Sequence, residues 1–303
     1  MSRHLTLRKK LAKTQTSLWA YILIRVVLLI GAVSIFYPFY NCFVISVLPY
    51  KYSTSFGFYL FPPEFEFANY QVLLASESFQ NSFLVTLFVA VVGTTYNMLL
   101  TVSMGYALSR KGYYGRTFFI NMVLITMFFS GGLIPTYLLV RGLGLIDSLF
   151  SMILPLGIIP FWMILMKTFF GSIPDALPES AQIDGASDVT ILFRIIIPIA
   201  MPIIATITLF YAVARWNEWF NGMIYIRTAD KKPLQLYLRE MLISMDSKRL
   251  DQSALSALGG NQRIYTRSMQ MAMVMLTTLP ILCVYPFLQK YFVKGIMIGS
   301  IKG

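Results

Sequence analysis

The stretch Pro178–Pro198, with the sequence PESAQIDGASDVTILFRIIIP, separates two strongly apolar runs and decides how the chain is organised. It begins with Glu179, Asp184 and Asp188 arranged around a Gly-Ala-Ser, then becomes amphipathic, and ends apolar. An acidic insert between apolar runs predicts that the runs cross a membrane and that the insert lies at the membrane surface.

The composition of the chain identifies a bilayer as its solvent. Of the 303 residues, 57% are hydrophobic and 13% are charged, whereas soluble domains average about 25% charged residues. The mean hydropathy is +0.67, and a chain of this length has too little core to hide so much apolar surface from water. The single histidine, His4, and the two cysteines, Cys42 and Cys283, predict no metal site, no disulfide framework and no Cys-His chemistry.

The net charge of +12 also has a membrane explanation. In a soluble protein such a charge would suggest nucleic acid as a partner. In a membrane protein, lysine and arginine flank the spans and set their orientation. We therefore expect contact with membrane lipid and no nucleic-acid partner.

Apolar runs of about 20 residues, the length needed to cross a bilayer, occur six times. The predicted spans are 20–48, 82–108, 118–140, 148–170, 198–222 and 270–292. The first run is too long for a signal peptide and no A-x-A site follows it, so it is expected to be retained. No repeat or low-complexity linker divides the chain. We predict an all-α integral membrane protein with six transmembrane helices and a single domain over 1–303.

Basic residues near the ends of the spans predict the orientation. They concentrate in the N-terminal leader and in the connection SRKGYYGR: Arg3, Arg8, Lys9, Lys10, Lys13, Arg110, Lys111 and Arg116. This places the N-terminus in the cytoplasm and, with six spans, the C-terminus and the insert as well. The loop 227–267 is then external although it carries eight basic and four acidic residues. It is interpreted either as a docking surface for an acidic solute-binding protein or as an attraction for an anionic sugar such as a uronate oligomer.

The whole insert covers residues 174–197. Its first half has the pattern of a short helix and a turn. Pro174 suits a first helical turn, and Asp175 and Glu179 place negative charge near the positive helix end. These features predict a helix over 174–183. Asp184-Gly185-Ala186-Ser187 follows as a turn, in which glycine supplies the backbone freedom.

The second half of the insert is predicted to be an amphipathic helix. Ser187 or Asp188 caps it, and an apolar stripe follows with helical spacing: Val189, Leu192, Phe193 and Ile196. Pro198 then begins the next span. An apolar stripe beside acidic residues fits a groove with basic walls on another protein. The alternative is a helix resting on lipid, which suits acidic residues poorly because the cytoplasmic leaflet is anionic.

The spacing of the insert resembles the EAA signature of permease subunits of bacterial ATP-binding-cassette (ABC) importers. That signature runs E-A-A, three residues, G, nine residues, I-x-L-P. Here Glu179-Ser180-Ala181, Gly185 and Ile195-x-Ile197-Pro198 meet every interval, with Ser180 and Ile197 as mild departures. The segments ANYQVLL, GYALSRKGYYGR and YFVKGIMIGSIKG are similar to the carbohydrate-uptake branch, related to the smaller maltose permease subunit. The subgroup that it resembles most imports polysaccharide or large oligosaccharides, alginate included.

The resemblance implies a type I ABC importer permease fold in which the insert is the cytoplasmic coupling helix, seated in a cleft of an ATPase subunit. Glu179 would pair with a basic residue there, and Gly185 would provide the turn that lets the surfaces approach. The residues implied in ATPase coupling are Glu179, Ser180, Ala181, Asp184, Gly185, Ala186, Ile195, Ile197 and Pro198. ATP-driven closure of two ATPase subunits would move the coupling helices and switch the access of the cavity.

The implied partners are a second homologous permease subunit, an ATPase dimer and a periplasmic or extracellular solute-binding protein, in the bacterial inner (plasma) membrane. The tail 294–303 would insert between the ATPase subunits, with simple disorder as the alternative. The chain has no G-x-x-x-x-G-K-[ST] phosphate loop, and RGLGL at 141–145 lacks the lysine. We expect a non-catalytic subunit without cofactors, with ATP and Mg bound by the partner ATPase.

Polar side chains inside the spans are candidates for the translocation pathway. They are Asn97 in span two and, at the end of span five, Arg215, Trp216, Asn217, Glu218, Trp219 and Asn221. Aromatic, amide and charged groups together suit a sugar. The alternatives are helix packing for span two and an interfacial aromatic belt for span five. The sequence shows no chain of intramembrane acids of the kind that would favour an ion-coupled secondary transporter, which remains the alternative function. It also shows no catalytic cluster of the kind that would favour a membrane enzyme.

Overall fold

The computed structural model describes residues 18–49, 52, 59–243 and 266–299, with the side chains of Leu18, Thr266 and 284–299 left undescribed. The N-terminal leader and the loop residues Lys248, Arg249 and Arg263 lie outside the described residues. The tail 294–303 is described only as backbone as far as Gly299, where it is helical.

The described residues are helical and contain no strand. We number the helices in chain order. They are α1 Leu18–Ser46, α2 Ala68–Ala75, α3 Glu77–Ser109, α4 Arg116–Phe128, α5 Leu133–Gly142, α6 Pro160–Phe170, α7 Ala176–Ile183, α8 Asp188–Ile199, α9 Met201–Trp216, α10 Phe220–Tyr225, α11 Leu234–Ile243 and α12 Thr266–Gly299. Three single 3₁₀ turns lie at Leu149–Met152, Leu154–Leu156 and Ala229–Lys231. The prediction of an all-α membrane protein is confirmed.

The described chain divides into two compact units. One draws on Met1–Asn69 and Arg263–Met275, and the other on Tyr70–Gln262 and Leu276–Gly303. In the first unit, the amide of Asn69 donates to the backbone oxygen of Ser46 at 3.1 Å and fixes the end of α1. The second unit contains the insert and the candidate pathway residues. The single-domain prediction stays a prediction.

Only α1 and α3 are, within the described residues, individually long and apolar enough to cross a membrane. Three further candidate spans are bent pairs. Helices α4 and α5 meet at 117°, the 3₁₀ turns of Leu149–Leu156 meet α6 at 50°, and α8 meets α9 at 86°. The prediction of continuous spans over 118–140, 148–170 and 198–222 is therefore wrong in detail, and the count of six stays a prediction.

The breaks in these spans occur where the sequence interrupts helical hydrogen bonding. Gly132 separates α4 from α5 with φ 84°, a left-handed conformation that glycine adopts without steric cost. Pro160 begins α6 and Pro202 lies in the first turn of α9, because proline lacks the N–H that an interior position needs. Pro198, predicted to open span five, lies inside α8 before the bend.

Polar side chains of α3 help to bind backbone N–H groups at the starts of two later helices, α6 and α11. The hydroxyl of Thr86 accepts from the N–H of Leu234 at 2.7 Å, at the start of α11. Thr101 is 2.8 Å from the hydroxyl of Tyr211, which accepts from the N–H of Ile159 at 3.0 Å, just before α6. Backbone groups exposed by a broken span need such partners at membrane depth. The packing interpretation of the polar residues in span two fits these contacts.

The core of the second unit joins α3, α6, α8 and α9. Its buried side chains include Tyr106, Phe170, Ile191, Ile196, Ile207 and Tyr211. The rings of Tyr106 and Phe170 meet edge to face at 6.3 Å, a preferred aromatic geometry. The insert is thus built on the same core as the helices that follow it.

Candidate functional site

The insert folds as two helices joined by a tight turn, as predicted. Helix α7 begins at Ala176, two positions after the expected Pro174, and ends at Ile183. Gly185 has φ 81°, and the N–H of Ala186 donates to the backbone oxygen of Ala181 at 2.9 Å. This pattern closes the C-terminus of α7 through a left-handed residue, for which glycine is suited.

Ser187, and not Asp188, caps the second helix of the insert. Its hydroxyl accepts from the backbone N–H of Thr190 at 3.3 Å and lies 3.0 Å from the hydroxyl of Thr190. Helix α8 then contains a π-helical turn over Leu192–Ile196. Such turns contain one residue more per hydrogen-bonded loop than an α-helix, so the direction of later side chains is rotated.

The predicted apolar stripe of α8 is divided between two environments. Leu192 and Ile196 are buried in the core, whereas Val189 and Phe193 are exposed. The four residues of the predicted stripe therefore differ in burial, although three of them, Val189, Leu192 and Phe193, line the same groove, which is described below.

The residues of the EAA-like pattern fall into an inner and an outer set. Four of them pack against the core of the second unit: Ala181, Ala186, Ile195 and Ile197. The others are exposed: Glu179, Ser180, Asp184, Gly185 and Pro198. Ser180 donates to the backbone oxygen of Leu177 at 3.0 Å. The outer set leaves a carboxylate and a glycine turn available to another surface.

An ion pair that sequence reasoning missed holds the insert against the α3–α4 connection. The ammonium of Lys111 lies 2.8 Å from Oδ2 of Asp175. This hydrogen bond, together with the charge of Asp175, raises the pKa of Lys111, and the same hydrogen bond lowers the pKa of Asp175. Both groups are exposed to solvent, where such pairs add little stability. The pair marks where the α3–α4 connection contacts the residue that precedes α7.

A groove of about 1110 Å³ runs between α3, the insert and the start of α9. Its apolar wall includes Leu99, Val102 and Phe193, and its polar end includes Arg110 and Glu179. The carboxylates of Asp175 and Asp188 line it as well. Most of its lining is apolar.

Asn97 and Arg215, both predicted to lie in the pathway, are brought together in the protein interior. Nε of Arg215 donates to Oδ1 of Asn97 at 2.9 Å. The amide nitrogen of Asn97 donates to the backbone oxygens of Leu156 and Gly157 at 2.6 and 2.7 Å. Asn97 is completely buried and Arg215 is 3% exposed. These contacts are internal, and the pathway role stays a prediction.

The guanidinium of Arg215 also binds the interrupted part of span four. It donates to the backbone oxygens of Met152, Ile153 and Leu156, with distances of 3.1 and 2.8 Å to the last two. Gly93 makes room for it, because a Cβ at that position would lie 3.1 Å from Cδ and Nε of Arg215. One side chain thus joins spans two, four and five.

The other candidate pathway residues are spread around the end of α9. The indole N–H of Trp216 donates to the backbone oxygen of Thr277 at 3.1 Å. Glu218 accepts from the backbone N–H and the side-chain amide of Asn221, both at 3.0 Å. Asn217 is exposed and donates to its own helix, and Trp219 lies under the guanidinium of Arg239, 4.2 Å from the ring centre. None of them lines the groove described above.

Asp147 forms a clamp that the sequence analysis did not single out. Its carboxylate accepts from the backbone N–H groups of Arg227 and Thr228, both at 2.9 Å, and from the Thr228 hydroxyl at 2.6 Å. Lys231 lies 3.0 Å from the same carboxylate. The hydrogen bonds from Thr228, followed by those from Arg227 and Lys231, hold the pKa of Asp147 well below its usual range. The only signal in the sequence was an acidic residue in the short connection between predicted spans three and four.

This clamp changes the interpretation of the basic loop 227–267. Lys231 is paired with Asp147, and Lys232 lies 2.7 Å from Oε1 of Glu240. The two lysines are therefore largely neutralised by neighbours and are not free to attract an anionic sugar. Arg227 and Arg267, which are exposed, and Arg239 remain as cations on the described part of this loop.

Comparison with known proteins identifies relatives over nearly the whole chain. No family model matches it. The chain is 40% identical to the protein LplC of Bacillus subtilis (strain 168) over 86% of this chain and 90% of that protein. It is also 40% identical to the polygalacturonan/rhamnogalacturonan transport system permease protein YtcP of the same strain, over 88% of this chain and 92% of that protein.

A solved structure agrees with these relatives. It is the crystal structure of a bacterial ABC transporter involved in the import of the acidic polysaccharide alginate, whose matching chain is 33% identical with a TM-score of 0.83. The match covers 89% of this chain and 95% of that chain. With this fold and these relatives, the chain belongs to the family of ABC sugar transport system permeases.

Proposed function

We propose that this permease is driven by a separate ATPase through the insert 174–197, and that it imports an oligo- or polysaccharide of acidic character. The two parts of the proposal have different support. Coupling rests on the geometry of the insert, and the substrate rests on the names of similar proteins and on the charge of the loop 227–267.

The coupling proposal rests on the outer surface of the insert. Ile183 is 87% exposed at the end of α7, next to the exposed carboxylates of Glu179 and Asp184. Glu179 and Ser180, one turn earlier on α7, are exposed as well, so Ile183 lies on the outer surface of the insert. An exposed apolar residue between carboxylates fits a cleft with an apolar floor and basic walls on a partner protein.

The proposal includes a complete set of partners. A second homologous permease subunit forms the other half of the translocation pathway, and an ATPase dimer binds ATP and Mg. A periplasmic or extracellular solute-binding protein delivers the sugar. The permease lies in the bacterial inner (plasma) membrane with both termini and the insert in the cytoplasm.

The proposed substrate is a uronic-acid polymer or an oligomer derived from one. A structure with 33% identity is described as importing alginate, and a relative with 40% identity is named for polygalacturonan and rhamnogalacturonan. Alginate and polygalacturonan are both chains of uronic acids, which carry one carboxylate per sugar. A surplus of basic residues on an external loop raises the local concentration of such anions.

Disulfide trapping tests the coupling proposal directly. The sequence has two cysteines, Cys42 and Cys283, which are first replaced by serine. Ile183→Cys is then expected to form a cross-link with a cysteine placed in the cleft of the ATPase. Tyr114→Cys is the matched control, because Tyr114 is 98% exposed on the neighbouring connection but lies outside the insert. A transporting complex that forms no cross-link from position 183 would contradict the proposal.

The substrate proposal has its own experiment. Replacing Arg227 and Arg239 together by glutamine is expected to slow uptake of an oligouronate and to leave uptake of an uncharged oligosaccharide of equal length unchanged. Lys231→Gln is the control for a cation already paired with Asp147. Equal effects on both sugars, or no effect on either, would contradict an electrostatic role of this loop.

A further inference from the structure

Arg215 has more hydrogen bonds than a residue that lines a pathway would need. A guanidinium carries five N–H donors, and four hydrogen bonds are formed with Oδ1 of Asn97 and with three backbone oxygens of the segment Leu149–Gly157. That segment consists of short 3₁₀ turns and not of a continuous α-helix. Irregular backbone is tolerated at membrane depth only where protein groups satisfy it. The guanidinium of Arg215 supplies hydrogen-bond donors to three of these backbone oxygens.

The other end of the same segment is tied to the chain that follows α9. Asp147 binds the backbone N–H groups of Arg227 and Thr228, and its own N–H donates to the backbone oxygen of Tyr225 at 2.9 Å. The segment Asp147–Gly157 is therefore attached twice. One attachment is to the last turn of α9, through Arg215, and the other is to residues 225–231, which come shortly after it.

Helix α9 links these attachments to the insert. It begins at Met201, directly after the bend that ends α8, and it has 16 residues. At 1.5 Å per residue, its length is about 24 Å. Arg215 lies in its last turn. A displacement applied to the insert is therefore carried along a regular helix to the residue that binds the interrupted span.

We propose that Arg215 is a positioning residue for transport, which makes the segment Asp147–Gly157 move with α9 when the insert is displaced. The inference rests on the proposed coupling role of the insert. It assigns the cation of Arg215 to the protein's own carbonyl groups and not to the sugar. Motion driven at one end of α9 then reaches the opposite end of the permease as a rigid-body movement.

The geometry of the guanidinium, and not its charge alone, performs this task. The acceptors belong to Asn97 on α3 and to Met152, Ile153 and Leu156 on span four. An arginine reaches them in different directions from three separate nitrogen atoms. A lysine presents three donors from a single nitrogen, so Arg215→Lys keeps the charge and loses part of the connection.

The experiment uses the complete importer, reconstituted in lipid vesicles with its ATPase and with sugar-loaded binding protein. Arg215→Lys is compared with wild type and with Arg141→Lys, whose side chain is exposed near the end of α5. Four quantities are measured: yield of complex, ATPase rate, maximal transport rate, and apparent KM for the loaded binding protein. We expect Arg215→Lys to raise the ATP consumed per sugar by about tenfold, equivalent to the loss of one charge-assisted hydrogen bond, with KM unchanged.

The other outcomes overturn the proposal in different ways. Equal losses of transport and ATPase activity, at a constant ratio, would assign Arg215 to folding alone. A raised KM with a constant ratio would assign it to contact with the sugar. A wild-type profile would remove it from transport. If the wild-type complex itself shows no ATP-dependent transport, the proposed function fails first, which distinguishes the two failures.

Gly93→Ala provides a second variant in case Arg215→Lys does not assemble. The added Cβ would displace Cδ and Nε of Arg215 from a distance of 3.1 Å without changing any charge. Gly31→Ala is its control, since a Cβ there has no neighbour within 4 Å. We expect Gly93→Ala to raise the ATP consumed per sugar while Gly31→Ala behaves as wild type. Equal ratios in the two variants would contradict the proposal.

Discussion

Asp147 and Thr228 lie 81 positions apart in the sequence and are joined by two hydrogen bonds, from the backbone N–H and the hydroxyl of Thr228 to the Asp147 carboxylate. Asp147 adopts φ 60° to make these contacts, a conformation that aspartate and asparagine tolerate better than most residues. The clamp therefore requires both the side chain and the unusual backbone of one residue.

Two substitutions at Asp147 separate these requirements. Asp147→Asn keeps an acceptor and the tolerated backbone, so it should lower the thermal midpoint of the purified complex less than Asp147→Ala, which loses both. Asp230→Asn is the control, because Asp230 is exposed in the same region. An effect of Asp147→Ala no larger than that of Asp230→Asn would show that the clamp contributes nothing to stability.

The acid dependence of this clamp follows from the lowered pKa of Asp147. A carboxylate whose folded pKa lies below its unfolded value, about 3.9, stabilises the fold fully above that value and loses the contribution as the pH falls through the folded pKa. The stability difference between wild type and Asp147→Asn should be constant from about pH 6 to pH 8 and should shrink only in strong acid. Denaturation midpoints of the two proteins, compared from about pH 8 down into strong acid, measure this difference. A difference that changes near neutral pH would contradict the assignment.

Asn97→Ala tests the buried amide that supports span four. The change leaves the carbonyls of Leu156 and Gly157 without their amide donor and removes an acceptor from Arg215. Each buried polar group left unsatisfied costs about 1–3 kcal/mol. The free energy of unfolding in a detergent titration should fall by at least that amount. Ser103→Ala, whose hydroxyl bonds only its own helix at Leu99, should be nearly neutral, and equal effects would contradict this account.

Gly185→Ala tests the turn of the insert. Any residue with a Cβ in the left-handed region costs about 1–2 kcal/mol, and Gly185 has φ 81°. The substitution should weaken retention of the ATPase during purification. Gly185→Asn is the matched variant, because asparagine tolerates this conformation, and it should retain more ATPase. The opposite order would indicate that the absence of a side chain, and not the backbone angle, matters at this position.

Gly222→Ala tests the packing of α10 against the start of α11. A Cβ at Gly222 would lie 2.7 and 2.8 Å from two ring carbons of Pro233, which are closer than real contacts. Overpacking of this kind costs about 1–3 kcal/mol. We expect a lower free energy of unfolding for Gly222→Ala. Gly171→Ala, whose nearest contact is a backbone oxygen at 3.4 Å, should be affected less, and the reverse order would contradict the predicted contact.

The parts of the insert that depend on local chemistry could be predicted from the sequence. The glycine turn at Gly185 and the cap at Ser187 follow from conformational freedom and hydroxyl chemistry within a few residues. The π turn over Leu192–Ile196 and the unequal burial of the apolar stripe could not, because they depend on packing against the core. Hydropathy predicted spans across Gly132 and Pro160 because it averages over the positions where helices break.

The long-range contacts had no comparable signal. Arg215 is separated by 118 positions from Asn97 and by about half as many from the carbonyls of span four. A charged residue in a span predicts that a partner exists, but it does not identify which backbone groups of an irregular segment will be that partner. The same holds for Asp147 and Thr228.

The central claim, that this permease is driven by a separate ATPase, is tested most directly by counting subunits. The chain is purified by affinity from native membranes, its partners are identified and counted, and ATP-dependent sugar transport is measured in vesicles. The account predicts one related permease and two ATPase copies for each copy of this chain. Recovery of this chain alone, still transporting sugar, would contradict it and would favour an ion-coupled secondary transporter.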